Sequence, residues 1–207
     1  MKRLIAFGDS WTHGHGVETD PQYKEIANPN PFIYNLRMSN SWVRWLADKF
    51  KCPFVNFGLC GIDNVDIIDT VEQYRHDLEL DDIIIIMMSF PYRHLNKPYR
   101  KHITTVDIIS RAQTLLQGKN YYFVNSFYPT FKDEPDLLNK IDLSRWINIH
   151  GCPADHLTEY EAKNNVSVWE YGSRKVYDDK RNFFMGDYHP NLLGYQLIAD
   201  WLYSELT

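Results

Sequence analysis

Short apolar runs alternate with longer amphipathic stretches through the first 125 residues, and the two kinds of segment have different periods. Runs near residues 2–7, 53–56, 82–88 and 120–125 have strand length and lack a polar face, as expected of strands covered on both sides. Between them the spacing becomes helical. Residues 41–50 can start at Ser41 as a cap and place Trp42, Trp45, Leu46 and Phe50 on one face; residues 64–76 and 103–117 follow, with Gly118 as a stop signal. A last helix is predicted over 192–206. Right-handed crossovers then give a three-layer α/β/α sandwich around a central parallel sheet, flavodoxin-like in outline, with the strands' C-terminal ends on one rim.

Two stretches interrupt this pattern. Residues 19–40 are rich in Pro, Asn and aromatics, and as a long connection after the first strand they are placed to wall a site. Residues 131–185 hold a helix-like piece at 136–149, a short strand at 166–169 and a charged run at 174–181. Within a single domain spanning 1–207, this excess is expected to be a cap or insertion that shapes substrate choice, with an oligomer contact as the alternative.

Chemistry enters at the element boundaries. Gly8-Asp9-Ser10-Trp11 stands directly behind the first apolar run, where a glycine lets the chain turn and expose a serine hydroxyl at the rim. A serine hydroxyl needs a histidine to take its proton, and that histidine needs an acceptor on its other nitrogen. Asp187-Tyr188-His189-Pro190-Asn191 supplies both just before the last helix. Gly58-Leu59-Cys60-Gly61, after the second strand, can turn backbone N–H groups toward an oxyanion. Read alone, each segment is also ordinary turn or capping chemistry.

Taken together and in this order, the segments resemble the SGNH (GDSL) hydrolases, a family of esterases and lipases. Gly8-Asp9-Ser10 matches its first block, with Trp11 where the family name has leucine; Asn56 and the pair Gly58 and Gly61 match the second; His189-Pro190-Asn191 and Gly194 match the last. The resemblance implies Ser10 as nucleophile, His189 as base, Asp187 as orienting acid, and the backbone N–H groups of Ser10 and Gly61 as oxyanion donors. Two departures stand out. The family separates acid and histidine by two residues, whereas one residue separates Asp187 from His189, leaving Asp178, Asp179 or a dyad as alternatives. Its third block carries an asparagine that helps hold the oxyanion; here Met87-Met88-Ser89-Phe90 stands in its place, and Ser89 is the expected substitute donor. Asp9, Trp11 and His13 beside the serine, and Arg93 beyond the third strand, are the candidate substrate contacts, Arg93 through its planar fork toward an anionic group.

Composition narrows the partners. A net charge of −5 over 207 residues, with no long Lys/Arg run, argues against nucleic acid. The 6 Trp, 14 Tyr and 11 Phe are heavy for so acidic a chain; plain core packing is the favoured account of them, and a surplus of Tyr and Trp would also suit a glycan surface. No Gly-x-Gly-x-x-Gly follows the first strand, which disfavours a nucleotide-binding reading. Three cysteines without metal spacing are expected as free thiols, and His13-Gly14-His15 lacks a third ligand, so neither a metal nor a cofactor is expected. The longest apolar run is too short to span a bilayer and no leader pattern is present, so a cytoplasmic or otherwise non-secreted protein is expected. The function expected is a serine ester hydrolase acting on small acyl esters, acetyl especially, of carbohydrate. The alternative is a catalytically weak protein of the same fold that binds glycans or another protein.

Overall fold

The computed structural model describes residues 2–19, 23, 32–91, 93–127, 130, 135–169 and 189–207. Five parallel strands form the centre: β1 (Leu4–Gly8), β2 (Phe54–Gly58), β3 (Ile83–Met88), β4 (Tyr121–Asn125) and β5 (Trp146–Ile147), in the order β2-β1-β3-β4-β5. All six residues of β3 and all five of β1 are buried, which is why both read as unbroken apolar runs. Removing each such aliphatic side chain from water contributes roughly 1.5–3 kcal/mol.

Alternate residues of the strands serve two separate cores. On one face Leu4, Ala6, Ile83, Ile85 and Met87 meet helices α3 (Trp42–Phe50), α6 (Pro153–Asn164) and α7 (Leu192–Leu206) through Trp42, Leu46, Leu157, Tyr195 and Ile198. On the other, Ile5, Phe7, Ile84, Ile86 and Met88 meet α4 (Asn64–Tyr74) and α5 (Thr105–Leu115) through Ile68, Val71, Ile109 and Ala112. The result is a three-layer α/β/α sandwich. Two further helices, α1 (Ser10–His13) and α2 (Phe32–Asn40), follow β1 at the rim.

Local chemistry explains the boundaries. Asp63 and Thr104 each close a capping box at the start of α4 and α5, and Gly118 has a positive φ of 79° behind α5. In α3 the buried face is Trp42, Val43, Leu46 and Ala47, while Trp45 and Phe50 are only partly covered. The helix predicted over 136–149 is absent. Pro135–Lys140 and Leu143–Arg145 form 3-10 turns, and Trp146–Ile147 become the fifth strand. Asp142 accepts from the Ser144 N–H at 2.9 Å, a capping bond that starts a new turn where a continuous helix would have run through. The strand predicted at 166–169 is an isolated antiparallel bridge between Trp169 and Pro190, and α6 carries the helix the periodicity did not reveal. Helix α6 packs on α7, so within 131–185 both β5 and α6 belong to the sandwich layers; the charged run at 174–181 lies outside the described residues.

Candidate active site

The end of β1 delivers Ser10 to the rim. Asp9 leaves the strand with an extended backbone and caps α1, its Oδ1 accepting from the Trp11 N–H at 3.0 Å, so Ser10 becomes the first helical residue. The chain then turns off this short helix at Gly14, whose φ of 91° suits glycine. Helix α1 lies so close to β2 that a Cβ on Gly58 would stand 2.3 Å from the His13 nitrogen. Asn56 fastens this approach: its Nδ2 donates to Thr12 O at 2.7 Å and to Ser41 Oγ at 3.0 Å, and its Oδ1 accepts from the Gly58 N–H at 2.8 Å.

From the far end of the chain, His189 Nε2 comes to 2.8 Å from Ser10 Oγ, with both residues under a tenth exposed. Its segment is pinned on the side of α7. Asn191 donates from its backbone to Val168 O at 3.0 Å and from Nδ2 to Ser167 O at 3.0 Å, and its Oδ1 caps α7 at the Gly194 N–H. Gly194 is required there, because a Cβ would meet Val168 O at 2.3 Å. Asp187, Asp178 and Asp179 lie outside the described residues.

The other expected site residues occupy distinct positions. Gly61 is exposed with a φ of 80°, and open space surrounds the place its Cβ would take, so the need for glycine there is conformational. Asp9 is fully buried, and its Oδ2 accepts from the Ser89 hydroxyl at 2.6 Å. Ser89 is further fixed by Asn64, whose Oδ1 accepts the Ser89 N–H at 2.7 Å and whose Nδ2 donates to Ser89 O at 3.1 Å. Trp11 is 2% exposed and packs against Phe127 and Trp169, at ring-centroid separations of 5.7 and 6.0 Å. His13 is buried with its ring 4.9 Å from that of Tyr34 and its Nδ1 3.3 Å from Cys60 Sγ. Desolvation, with the nearby Arg37 charge and then His15, pushes the His13 pKa down to about 4, so His13 is neutral at pH 7. Arg93 places Nη1 at 3.3 Å from Ser89 Oγ and 3.6 Å from Asp9 Oδ2.

Two further groups, neither of them expected in these contacts, also meet here. His15 lays its ring against that of His189, at 4.2 Å between centroids, and its Nε2 is 3.6 Å from Glu18 Oε1. Glu18 is bound in turn by Arg37 and by the Gly16 N–H, and the Tyr195 hydroxyl donates to His15 O at 2.7 Å. Burial alone would raise the Glu18 pKa, but the hydrogen bond and charge of Arg37 outweigh it and hold the carboxyl below its usual range. The second group is ionic. Lys97 and Arg100, in the loop after β3, both bind Asp63 and Asp66, which clamps this loop onto the start of α4, two residues beyond Gly61. Long-range packing makes both groups, and the only local hint was the pair of histidines around Gly14.

Solved structures share this arrangement of elements. A lipase from a goat rumen metagenome aligns over 99% of this chain and 97% of its own at 11% identity and a TM-score of 0.52. The fold shared with that lipase is the three-layer α/β/α sandwich on a parallel sheet. A member of the lipolytic protein G-D-S-L family from Veillonella parvula also aligns, over 99% of this chain and 97% of its own, at 16% identity and a TM-score of 0.49. No family model and no curated protein matches the sequence. On this fold Ser10, Gly61 and Ser89 follow the C-terminal ends of β1, β2 and β3, at the edge where α/β sheets bind ligands. Among the described residues no three or more metal-binding side chains cluster, and no helix is long and apolar enough to cross a membrane.

Proposed function

We propose that this protein is a serine ester hydrolase, with Ser10 as nucleophile and His189 as its base. The observation that carries this reading is the 2.8 Å contact between Ser10 Oγ and His189 Nε2, made by residues 179 positions apart. A serine at a strand-to-helix turn, touching an imidazole through Nε2, is the geometry a proton-relaying nucleophile requires. In this scheme Ser10 Oγ attacks the ester carbonyl as its proton passes to His189 Nε2. The backbone N–H groups of Ser10 and Gly61 take the oxyanion, and His189 then protonates the departing alcohol. Water, activated by the same imidazole, releases the acyl group. Asp187, two positions before the histidine, is the acid assigned to its other nitrogen, and no cofactor takes part.

The near-complete burial of Ser10 and His189 favours small acyl groups, acetyl first. Exposed rings at Phe32 and Tyr34, the latter tilted against His13, offer the flat faces that suit a carbohydrate alcohol. The test is hydrolysis of p-nitrophenyl acetate and longer p-nitrophenyl esters by wild type and Ser10→Ala. Acetate-biased turnover that disappears in Ser10→Ala supports the reading. Turnover that survives the substitution removes Ser10 from the mechanism, and no turnover on any ester favours the binding-protein alternative.

A further inference from the structure

The oxyanion cradle just described has two backbone donors, and Ser89 was expected to add a third. Every hydrogen of Ser89 able to donate is already committed. Its hydroxyl donates to Asp9 Oδ2 at 2.6 Å and its N–H to Asn64 Oδ1 at 2.7 Å. Breaking the first bond would strip a fully buried carboxylate of a short hydrogen bond, which costs more than a new oxyanion bond would return.

The neighbouring cation is differently placed. Arg93 lies five residues beyond the end of β3, in a 3-10 turn, and its Nη1 reaches both Ser89 Oγ and Asp9 Oδ2. Asp9 immediately precedes the proposed nucleophile, so its contact with Arg93 brings the guanidinium to the residue next to Ser10. A guanidinium carries five N–H donors in a rigid fork and stays charged at any working pH. Only Nη1 is engaged among the described residues, and the side chain is 33% exposed, leaving donors free on the solvent side. Lys97 and Arg100 in the same loop have no such freedom, since Asp63 and Asp66 hold both. Electrostatics point the same way. A buried carboxylate beside the serine opposes any negative charge that forms there, and a cation held against it cancels that opposition.

We propose that Arg93 is a catalytic residue that supplies the third oxyanion donor, in the place where the third sequence block lacks a side-chain amide. The proposal rests on the Ser10 and His189 reading. As Ser10 Oγ bonds to the carbonyl carbon, the carbonyl π pair moves onto oxygen, and an Arg93 N–H joins those of Ser10 and Gly61 around it. When the tetrahedral centre collapses, that pair re-forms the carbonyl, the alkoxide leaves, and His189 returns the proton to it.

The experiment compares wild type, Ser10→Ala, Arg93→Met, Arg93→Lys and Arg93→Met with Asp9→Asn on p-nitrophenyl acetate, a neutral ester. Losing one oxyanion donor costs ~10²–10³ in kcat, so Arg93→Met should fall by that factor with KM changed less than about threefold. Guanidinium ion, added well below denaturing concentration, should restore part of the loss. Three outcomes overturn the proposal: an Arg93→Met kcat within about threefold of wild type, full recovery in the double variant, or a defect confined to KM on the anionic ester p-nitrophenyl hemisuccinate. The second would make Arg93 only the counter-charge of Asp9, and the third an anion-gripping residue. If Arg93→Met does not fold, Arg93→Lys decides, since a compact ammonium cannot keep the Ser89 contact and reach a second acceptor; a kcat within about threefold of wild type overturns the proposal. Activity retained in Ser10→Ala would instead sink the underlying reading and the arginine proposal with it, whereas a dead Ser10→Ala beside an unimpaired Arg93→Met would sink the arginine alone.

Discussion

Ser10 and His189 meet in one hydrogen bond, but the segments that carry them are held in different ways. The serine comes off a central strand. Its cap is the adjacent Asp9, its helix is pressed on β2, and Asn56 ties the two together, so its position follows from the sheet itself. The histidine stands beside Pro190, which bridges to Trp169, and Asn191, which caps α7, and its ring rests against that of His15. Disturbing the serine side should therefore cost stability along with activity, while disturbing the histidine side should cost rate and leave the fold intact.

Gly58→Ala breaks the serine side most severely. The new methyl would meet backbone atoms of Thr12 and His13 at 2.6 and 2.3 Å, and backbone cannot rotate away as a side chain can. Overpacking of this kind costs about 1–3 kcal/mol, and because α1 must move, activity should fall with it; urea unfolding and ester hydrolysis measure the two losses. Gly61→Ala provides the control. Nothing lies near its Cβ, so the cost is the ~1–2 kcal/mol of forcing an L-residue to a positive φ, and little else should change in the unfolding curve.

His15→Ala tests the histidine side. Removing the ring that backs His189 should lower kcat on the order of tenfold by letting the base leave its attack geometry, with the thermal midpoint shifted by only a few degrees. A stability loss as large as that of Gly58→Ala would erase the contrast.

A separate effect, outside the contrast between the two sides, is one of pH. His13 titrates near 4 in the folded chain and about 6.5 when unfolded, so below 6.5 the unfolded state binds the proton first. Stability from this residue is complete above pH 6.5 and is lost as pH falls toward 4, by at most about 3 kcal/mol for the full shift. Depressed carboxylates such as Glu18 and Asp66 add their own loss at lower pH. The His13 share is therefore the difference between wild type and His13→Gln, measured by urea unfolding at pH 7 and pH 4.5.

The serine side was also the side legible in the sequence. Buried parallel strands write themselves as apolar runs, and a glycine, an aspartate and a serine behind one of them mark both a cap and the proposed nucleophile. The predicted α4 and α7 began at the residues where capping chemistry stands, Asp63 before Asn64 and Asn191 before Leu192. Where the pattern misled, local capping was the reason. Residues 136–149 read as one helix-like piece, yet Asp142 restarts the turn and Trp146 enters the sheet. Helix α6 escaped notice because it buries only Pro153, Ala154 and Leu157, too few to give an amphipathic signal. The tether of His189 to His15 and the bond from Ser89 to Asp9 join residues 174 and 80 positions apart, and no local period encodes such contacts. In the loop after β3, where Arg93 was expected to grip substrate, Lys97 and Arg100 instead neutralise the buried Asp63 and the half-buried Asp66 at the start of α4.

The most direct test of the central claim is covalent labelling by a fluorophosphonate, followed by intact mass and peptide mapping, on wild type, Ser10→Ala and His189→Ala at pH 7.5. A single adduct on Ser10 in wild type, none in Ser10→Ala, and labelling slowed by several orders of magnitude in His189→Ala is the predicted result. An adduct on any other residue, or labelling of Ser10 that is equally fast without His189, would contradict it.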